Sequence, residues 1–434
     1  MATRPITIRC LQRKLYVRSK QEPEKRFYSL YDKLYRMDIL RTAYAQCRAN
    51  KGCAGIDGIT CEHIEEAEGG VKTFLSGIQA ELRDKSYEAQ PIKRVFIPKG
   101  GGESTEKRPL GIACIRDRVV QVACSLVMQP IYEPHLYEGS YAYRLKRNAQ
   151  QAVKEIEQYL KAGYTQVLDA DHKRYFDSIP HGRMLDKVAE RISDRSFLHL
   201  LRKLLKAPIV EVQEDGKTRV KANRMGLSQG SGISPLLANI YLNDFCMLIQ
   251  EKTPCKIITY ADDFVILHRE PYSLEQLDWV EKTLSKEGLT LNKDKTRCVD
   301  MSVCGNAFNF LGFQFRRVRR YNRNNQYIRI EPSKKSQAKF KEAIRDIVKR
   351  RTSQTLDVLV ERVNQVNRGW KQYFGKVGYP RKIFFMLDWF VVARFYRWSR
   401  KRSQRKSKYL AQGAYKKLLK AGLEYLQPTV VKEM

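Results

Sequence analysis

A chain of 434 residues with 43% hydrophobic content buries a substantial core, roughly two to four structural units, and is not a disordered protein. Lys and Arg outnumber Asp and Glu by 81 to 47, and the formal charge of +34 points to a polyanionic partner. Ten scattered cysteines without a Cys-x-x-Cys pair, and six histidines with none after His268, exclude a zinc site or a His-Asn-His nuclease in the C-terminal third.

In chain order, residues 1–27 read as a basic, irregular arm, and Tyr28 to Asn50 as one helix carrying Leu30, Leu34, Met37, Leu40 and Tyr44. A glycine-rich turn follows over 50–58. Arg94 to Lys99 predicts a strand, Gly100 to Ser104 a flexible connection and Arg108 to Ile112 the return strand, after which Asp117 to Tyr132 has helical spacing. Tyr164 to Asp171 is an extended run ending in acids, with the aromatics Tyr175 and Phe176 behind it. Gly226, Gly230 and Gly232 surround Gln229, which lets backbone approach a substrate closely. Ser234-Pro235 opens a helix through Leu248.

The runs Ile257-Ile258-Thr259-Tyr260 and Phe264-Val265-Ile266-Leu267 flank Ala261-Asp262-Asp263, which predicts a hairpin with carboxylates at its tip. Two adjacent acids between buried strands are costly unless paired or bound to a cation. A strand ending at Asp171 beside this hairpin supplies a third acid. Oxygen ligands of this kind suit magnesium, and two ions about 4 Å apart activate an attacking hydroxyl and stabilise a leaving oxygen. Beyond the hairpin come Gly288 to Thr296, a Phe310-Leu311-Gly312-Phe313 turn, and helical stripes through Phe340, Ile344 and Val348 and through Leu356 to Phe374. Residues 316–434 hold 32 Lys or Arg against 8 Asp or Glu, so +24 of the charge lies in this last part. No apolar run reaches membrane-spanning length, no signal peptide is read, and free thiols fit a reducing cytoplasm.

The run Asp171 to Phe176, the segment Gly226 to Asn239 and the Tyr-Ala-Asp-Asp corner resemble, in order and spacing, the motifs of reverse transcriptases. The chain most resembles the group II intron-encoded reverse transcriptase/maturase family, from about Tyr28 to about Trp398. That resemblance implies an α+β right-hand polymerase with an N-terminal extension (1–60), fingers (61–165), a palm with active site and primer grip (166–325) and a basic helical thumb/maturase-like region (326–434). It implies an RNA-directed DNA polymerase, with Asp171, Asp262 and Asp263 holding two Mg2+ ions for which Mn2+ can substitute. Lys99 and Arg108 take the positions that hold the triphosphate, Phe176 that of the gate against a 2′-hydroxyl, and Gln229 that of the glutamine beside the sugar. Lys295 lies near the triphosphate, and Leu311 and Gly312 resemble the primer grip. Arg368 and Lys371 sit in a match to the thumb/maturase signature, and with Arg394, Arg397, Arg400, Lys401, Arg402 and Arg405 form the expected RNA surface. The implied partners are a structured RNA template, an intron or another non-coding RNA, a DNA or RNA primer and dNTPs, with no membrane. Ser228 stands where relatives have Pro, and His172 and Arg174 replace a typical Ile and Gly; none of these removes an acid. Three roles fit: an intron-encoded enzyme that also aids splicing, a domesticated or antiviral-defence enzyme with a dedicated RNA, and an RNA-binding maturase with a vestigial polymerase.

Overall fold

The helix Ile115–Tyr132 is buried along most of its length: Val119, Val120, Ala123, Val127 and Met128 are fully covered, and even Asp117 and Gln121 are buried. It packs against the helices Ile6–Gln21 and Met37–Ala49. In the computed structural model the described residues are 6–98, 107–172, 174–212, 218–292, 294–319, 326–349, 354–378, 380–400 and 413–427. They form two compact units that interleave along the chain. The first comprises Met1–Arg147, Asp171–Asp262 and Ser273–Asp294; the second comprises Asn148–Ala170, Asp263–Tyr272 and Lys295–Met434.

The strands, in chain order, are β1 (Ile92–Pro98), β2 (Lys107–Ile112), β3 (Gln166–Asp171), β4 (Ile209–Val212), β5 (Thr218–Lys221), β6 (Lys256–Tyr260), β7 (Asp263–His268), β8 (Arg297–Asp300), β9 (Ala307–Phe310), β10 (Phe313–Arg319) and β11 (Gln326–Pro332). In the first unit, β1 and β2 pair antiparallel, as the sequence predicts; their register sets Ile97 opposite Arg108. The β4–β5 hairpin extends that sheet, β4 running parallel to β1.

Two expectations for the N-terminal part are corrected. Residues 6–21 are a helix rather than an irregular arm, because Ile8, Leu15 and Ser19 make one buried face among its basic residues. The single helix expected over 28–50 is broken into Tyr31–Leu34 and Met37–Ala49. At the break Arg36 is extended, and the Gln79 side-chain amide donates to the Tyr35 carbonyl at 2.7 Å, holding it out of the helical ladder.

In the second unit β3 lies between β7 and β8, antiparallel to β8 with Gln166 opposite Asp300. Strands β9, β10 and β11 form a meander whose inner face is Phe308, Phe310, Phe313 and Phe315. Residues 326–332, expected to open the helical region, therefore belong to the sheet: Ile328, Ile330 and Pro332 alternate inward along a strand. The helices Lys334–Ile347, Leu356–Phe374 and Arg381–Ser399 follow. Phe340, Trp370 and Phe374 join the first two, with ring centroids 4.8 and 4.4 Å apart in sequence.

Candidate active site

Strand β6 is buried at Ile257, Ile258 and Thr259, and the chain reverses at Ala261 and Asp262 before β7 begins with the exposed Asp263. Ala261 has φ 58°, a left-handed backbone that alanine adopts only when the surroundings enforce it. The His172 amide donates to the Asp262 carbonyl at 3.5 Å, which sets Asp171 beside the acid corner. Asp171 is held from the other side too: its carbonyl accepts from the Asn292 amide at 2.8 Å, and His172 bridges to Leu291. His172 is buried and stacks on Tyr175 at 5.1 Å; burial pushes its imidazole down to about 3, so it stays neutral beside the acids.

Phe176 follows on the short helix Tyr175–Ser178. Its half-buried ring meets Tyr175 edge to face at 5.7 Å, and the Tyr175 hydroxyl is fixed on the Ala238 carbonyl at 2.6 Å. The glycine loop lies directly on this turn. A Cβ at Gly226 (φ 92°) would fall 2.9 Å from the Asp177 carbonyl oxygen, and the neighbouring Leu227 amide donates to the Phe176 carbonyl at 2.6 Å. Gly230 (φ 106°) approaches Gly111 of β2 equally closely, while the Gly111 amide donates to the Gln229 carbonyl at 2.8 Å. Gln229 thus sits against strand β2, which also carries the exposed Arg108. Lys99 lies outside the described residues.

One side chain joins this group without having been singled out as a candidate in the sequence. Tyr143 is exposed, with φ 58°, and feels the charges of both Asp262 and Arg108. Its hydroxyl pKa is raised by burial first and then by Asp262 and Tyr260, with Arg108 opposing. The loop below it is pinned to β6, since the Thr259 amide donates to the Gly139 carbonyl and the Tyr141 amide to the Thr259 carbonyl. Arg144 locks the same loop by donating to the Tyr137 and Ser140 carbonyls and to Glu133.

Asp263, Lys295, Leu311 and Gly312 belong to the second unit. Lys295 lies in the turn before β8. Leu311 (φ 50°) and Gly312 form the two-residue turn between β9 and β10, where the Leu311 carbonyl accepts from the Tyr373 hydroxyl at 3.0 Å and the Gly312 carbonyl from Ser336 at 2.9 Å.

The expected RNA-facing cations differ in their surroundings. Arg368 is committed to acids: it forks onto Glu424, with its closest contact at 2.6 Å, and lies 3.3 Å from Glu361. Lys371, Arg397 and Arg400 are exposed, Arg400 standing over the Tyr396 ring. Arg394 donates to the Val348 carbonyl at 2.7 Å and, with Arg397 and Trp398, lines a cavity of about 330 Å3. Lys401, Arg402 and Arg405 lie outside the described residues.

The sequence profile of the Reverse transcriptase (RNA-dependent DNA polymerase) family matches residues 97–315, half of the chain. The chain belongs to the reverse transcriptase family. A second profile, Group II intron, maturase-specific domain, matches residues 337–418 of this reverse transcriptase. Protein YkfC of Escherichia coli (strain K12) is 30% identical over 350 residues, covering 71% of this chain and 88% of that protein. Group II intron-encoded protein LtrA of Lactococcus lactis subsp. cremoris is 33% identical over 226 residues, 52% of this chain and 36% of LtrA, so the chain spans about a third of that relative. Among solved structures, the Partial Cas6-RT-Cas1--Cas2 complex is similar at 23% identity and a TM-score of 0.37, over 59% of this chain and 41% of that one.

The reverse transcriptase has the α+β right-hand polymerase fold of its family, and the family uses divalent metal ions. Among the described residues no three His, Cys, Asp or Glu side chains gather into a cage for an ion. Asp171 and Asp262 still fit magnesium, which keeps several waters and completes its shell with substrate phosphates rather than needing an all-protein site. No described helix is long and apolar enough to cross a membrane.

Proposed function

We propose that this reverse transcriptase extends a primer 3′-hydroxyl with deoxynucleotides on an RNA template, with Asp171, Asp262 and Asp263 holding two magnesium ions, or manganese in their place. The observation that carries this reading is the His172 amide on the Asp262 carbonyl, with Asp171 also held by Asn292. It brings acids from two distant chain segments to one corner, and the backbone of that corner is strained at Ala261. When bound, the ions activate the attacking hydroxyl and stabilise the leaving oxygen. The chain's own residues do the positioning. Arg108, with Lys99, binds the triphosphate as a charge-assisted donor. Phe176 closes the space where a 2′-hydroxyl would sit, and Gln229, fixed through its backbone to Gly111, lies beside the sugar. Lys295 belongs near the triphosphate, and the Leu311-Gly312 turn holds the primer end. The matched maturase-specific region is assigned to a structured RNA, an intron in the first instance, through Lys371, Arg394, Arg397 and Arg400, continued by Lys401, Arg402 and Arg405. Ten free cysteines, of which Cys10, Cys53, Cys298 and Cys304 are exposed, suit a reducing cytoplasm.

The test is the double change Asp262→Ala, Asp263→Ala. Primer extension on an RNA template in magnesium should fall to background while RNA affinity stays within about twofold, because the acids contribute no attraction to phosphate. Extension that survives the double change removes these residues from the chemistry. A wild-type chain that binds RNA but extends no primer in magnesium or manganese leaves the RNA-binding maturase reading in its place.

A further inference from the structure

The first unit holds a cavity of about 300 Å3 to which none of the side chains assigned above contributes. One wall is the helix Arg195–Lys206. Arg195, His199 and Lys203 are spaced by four along it and so share a face, while Phe197, Leu201, Leu204 and Leu205 are buried in the core. Another part of the lining comes from the segment after the helix Gly70–Arg83. Lys85 there has φ 61°, with its amide bonded to the Leu82 carbonyl at 3.3 Å, so its side chain leaves a fixed point. Tyr31 and Tyr87 complete the lining. Their hydroxyls are already committed, Tyr31 to the Leu82 carbonyl and Tyr87 to Asp117, so they offer ring surface rather than donors.

The charge in this concavity is one-sided. No Asp or Glu lines it. Lys203 donates to the Tyr87 carbonyl at 3.0 Å and pairs with Glu88, whose side chain is 71% exposed. Among the described residues Lys85, Arg195 and His199 have no acid partner. Folding has therefore gathered Lys85 and Arg195 from two segments around one concave site without an acid partner among the described residues, which raises the local potential and draws in an anion. The volume is at the lower end for small-ligand sites, enough for one nucleotide and too small for a duplex.

We propose that this cavity is a second RNA site, which seats one nucleotide of a single strand with its phosphate among Lys85, Arg195 and His199 and its apolar part against the tyrosine wall. The claim does not depend on the catalytic assignment. It is tested on the full chain with Lys85→Gln, Arg195→Gln, using a single-stranded RNA that carries 4-thiouridine. Irradiation of the wild type should cross-link the RNA to peptides from residues 195–206 or 84–88, and the double variant should lose that adduct. For the same RNA the slope of log affinity against log salt should fall by about 1.4 in the variant, two phosphate contacts at about 0.7 each. The charge-preserving pair Lys85→Arg, Arg195→Lys should keep both signals, and extension of a preformed primer–template at saturating enzyme should stay within about twofold, as expected when phosphate contacts act on affinity. A nucleoside monophosphate should suppress the adduct at lower concentration than inorganic phosphate. Equal suppression by inorganic phosphate overturns the nucleotide and leaves a bare-phosphate site. An adduct and slope unchanged in the double variant overturn the site itself.

Discussion

Ala261 holds a backbone conformation that costs an L-residue about 1–2 kcal/mol, and it does so immediately before two acids. A hairpin selected for stability alone would place glycine or asparagine there. The strain fixes the direction in which Asp262 leaves the turn, which is the usual location of such outliers. Phe176 is governed by comparable local constraint. Its ring is held by Tyr175, itself anchored on Ala238, and its carbonyl by Leu227, so the ring has little freedom to retreat from a sugar seated as proposed above. Changing Phe176 to Val opens that space. The ratio of kcat/KM for a ribonucleotide to that for the matching deoxynucleotide should rise by about ten- to a hundredfold, the scale on which removing a few methylene-sized groups relaxes a steric pocket. Single-nucleotide incorporation kinetics measure it, and an unchanged ratio would return Phe176 to a packing role.

At the scale of elements, the helix Ile115–Tyr132 contains Pro130, which has no amide to give to the carbonyl four residues back, that of Leu126. The side-chain amide of Gln12, on the helix Ile6–Gln21, donates to that carbonyl at 2.8 Å. The N-terminal helix thus completes the hydrogen bonding of the central one. Gln12→Ala should destabilise the protein by about 1–3 kcal/mol, the cost of leaving a buried carbonyl unsatisfied. Pro130→Ala in that background restores a backbone donor and should recover part of the loss, so a double-mutant cycle read by chemical denaturation should show coupling; purely additive effects would refute the pairing. That helix is also where sequence reading failed, because Ile8 and Leu15 are sparse among Arg9, Arg13, Lys14, Arg18 and Lys20. Features coded by adjacent residues were legible: the β1–β2 pair, the acid corner, the loop around Gln229 and the turn at Leu311-Gly312. Features coded by distant partners were not. Strand β4 is four residues long and gains its place by pairing with β1 more than a hundred residues earlier. The ion pair of Arg368 with Glu424 spans 56 residues and has no local signal. Tyr143 feels Asp262 and Arg108 from a loop that Arg144 and Thr259 hold, partners that lie apart in the sequence.

Over the whole molecule the charge is divided unevenly, with 32 basic against 8 acidic residues from Arg316 onward. The described C-terminal helices sort those cations into two kinds. Arg368 is neutralised by Glu424 and Glu361, whereas Lys371, Arg397 and Arg400 stand exposed. On the proposed RNA contact only the second kind would release counterions in full, because a guanidinium already paired with carboxylates must break those pairs to meet phosphate. Replacing Lys371, Arg397 and Arg400 by Gln should therefore lower the slope of log affinity against log salt by up to about 2–3 for a long structured RNA, at about 0.7 to 0.9 per contact. Arg368→Gln alone should change that slope by much less than one contact's share, roughly 0.3 or below on the same scale. Turnover on a short preformed primer–template at saturating enzyme should stay within about twofold in the triple variant, since phosphate contacts act on affinity. Filter binding across a salt series, paired with steady-state extension, separates the outcomes. If turnover on the short duplex falls together with affinity for the long RNA, these cations grip the primer–template, and the assignment of this face to a structured RNA partner is lost.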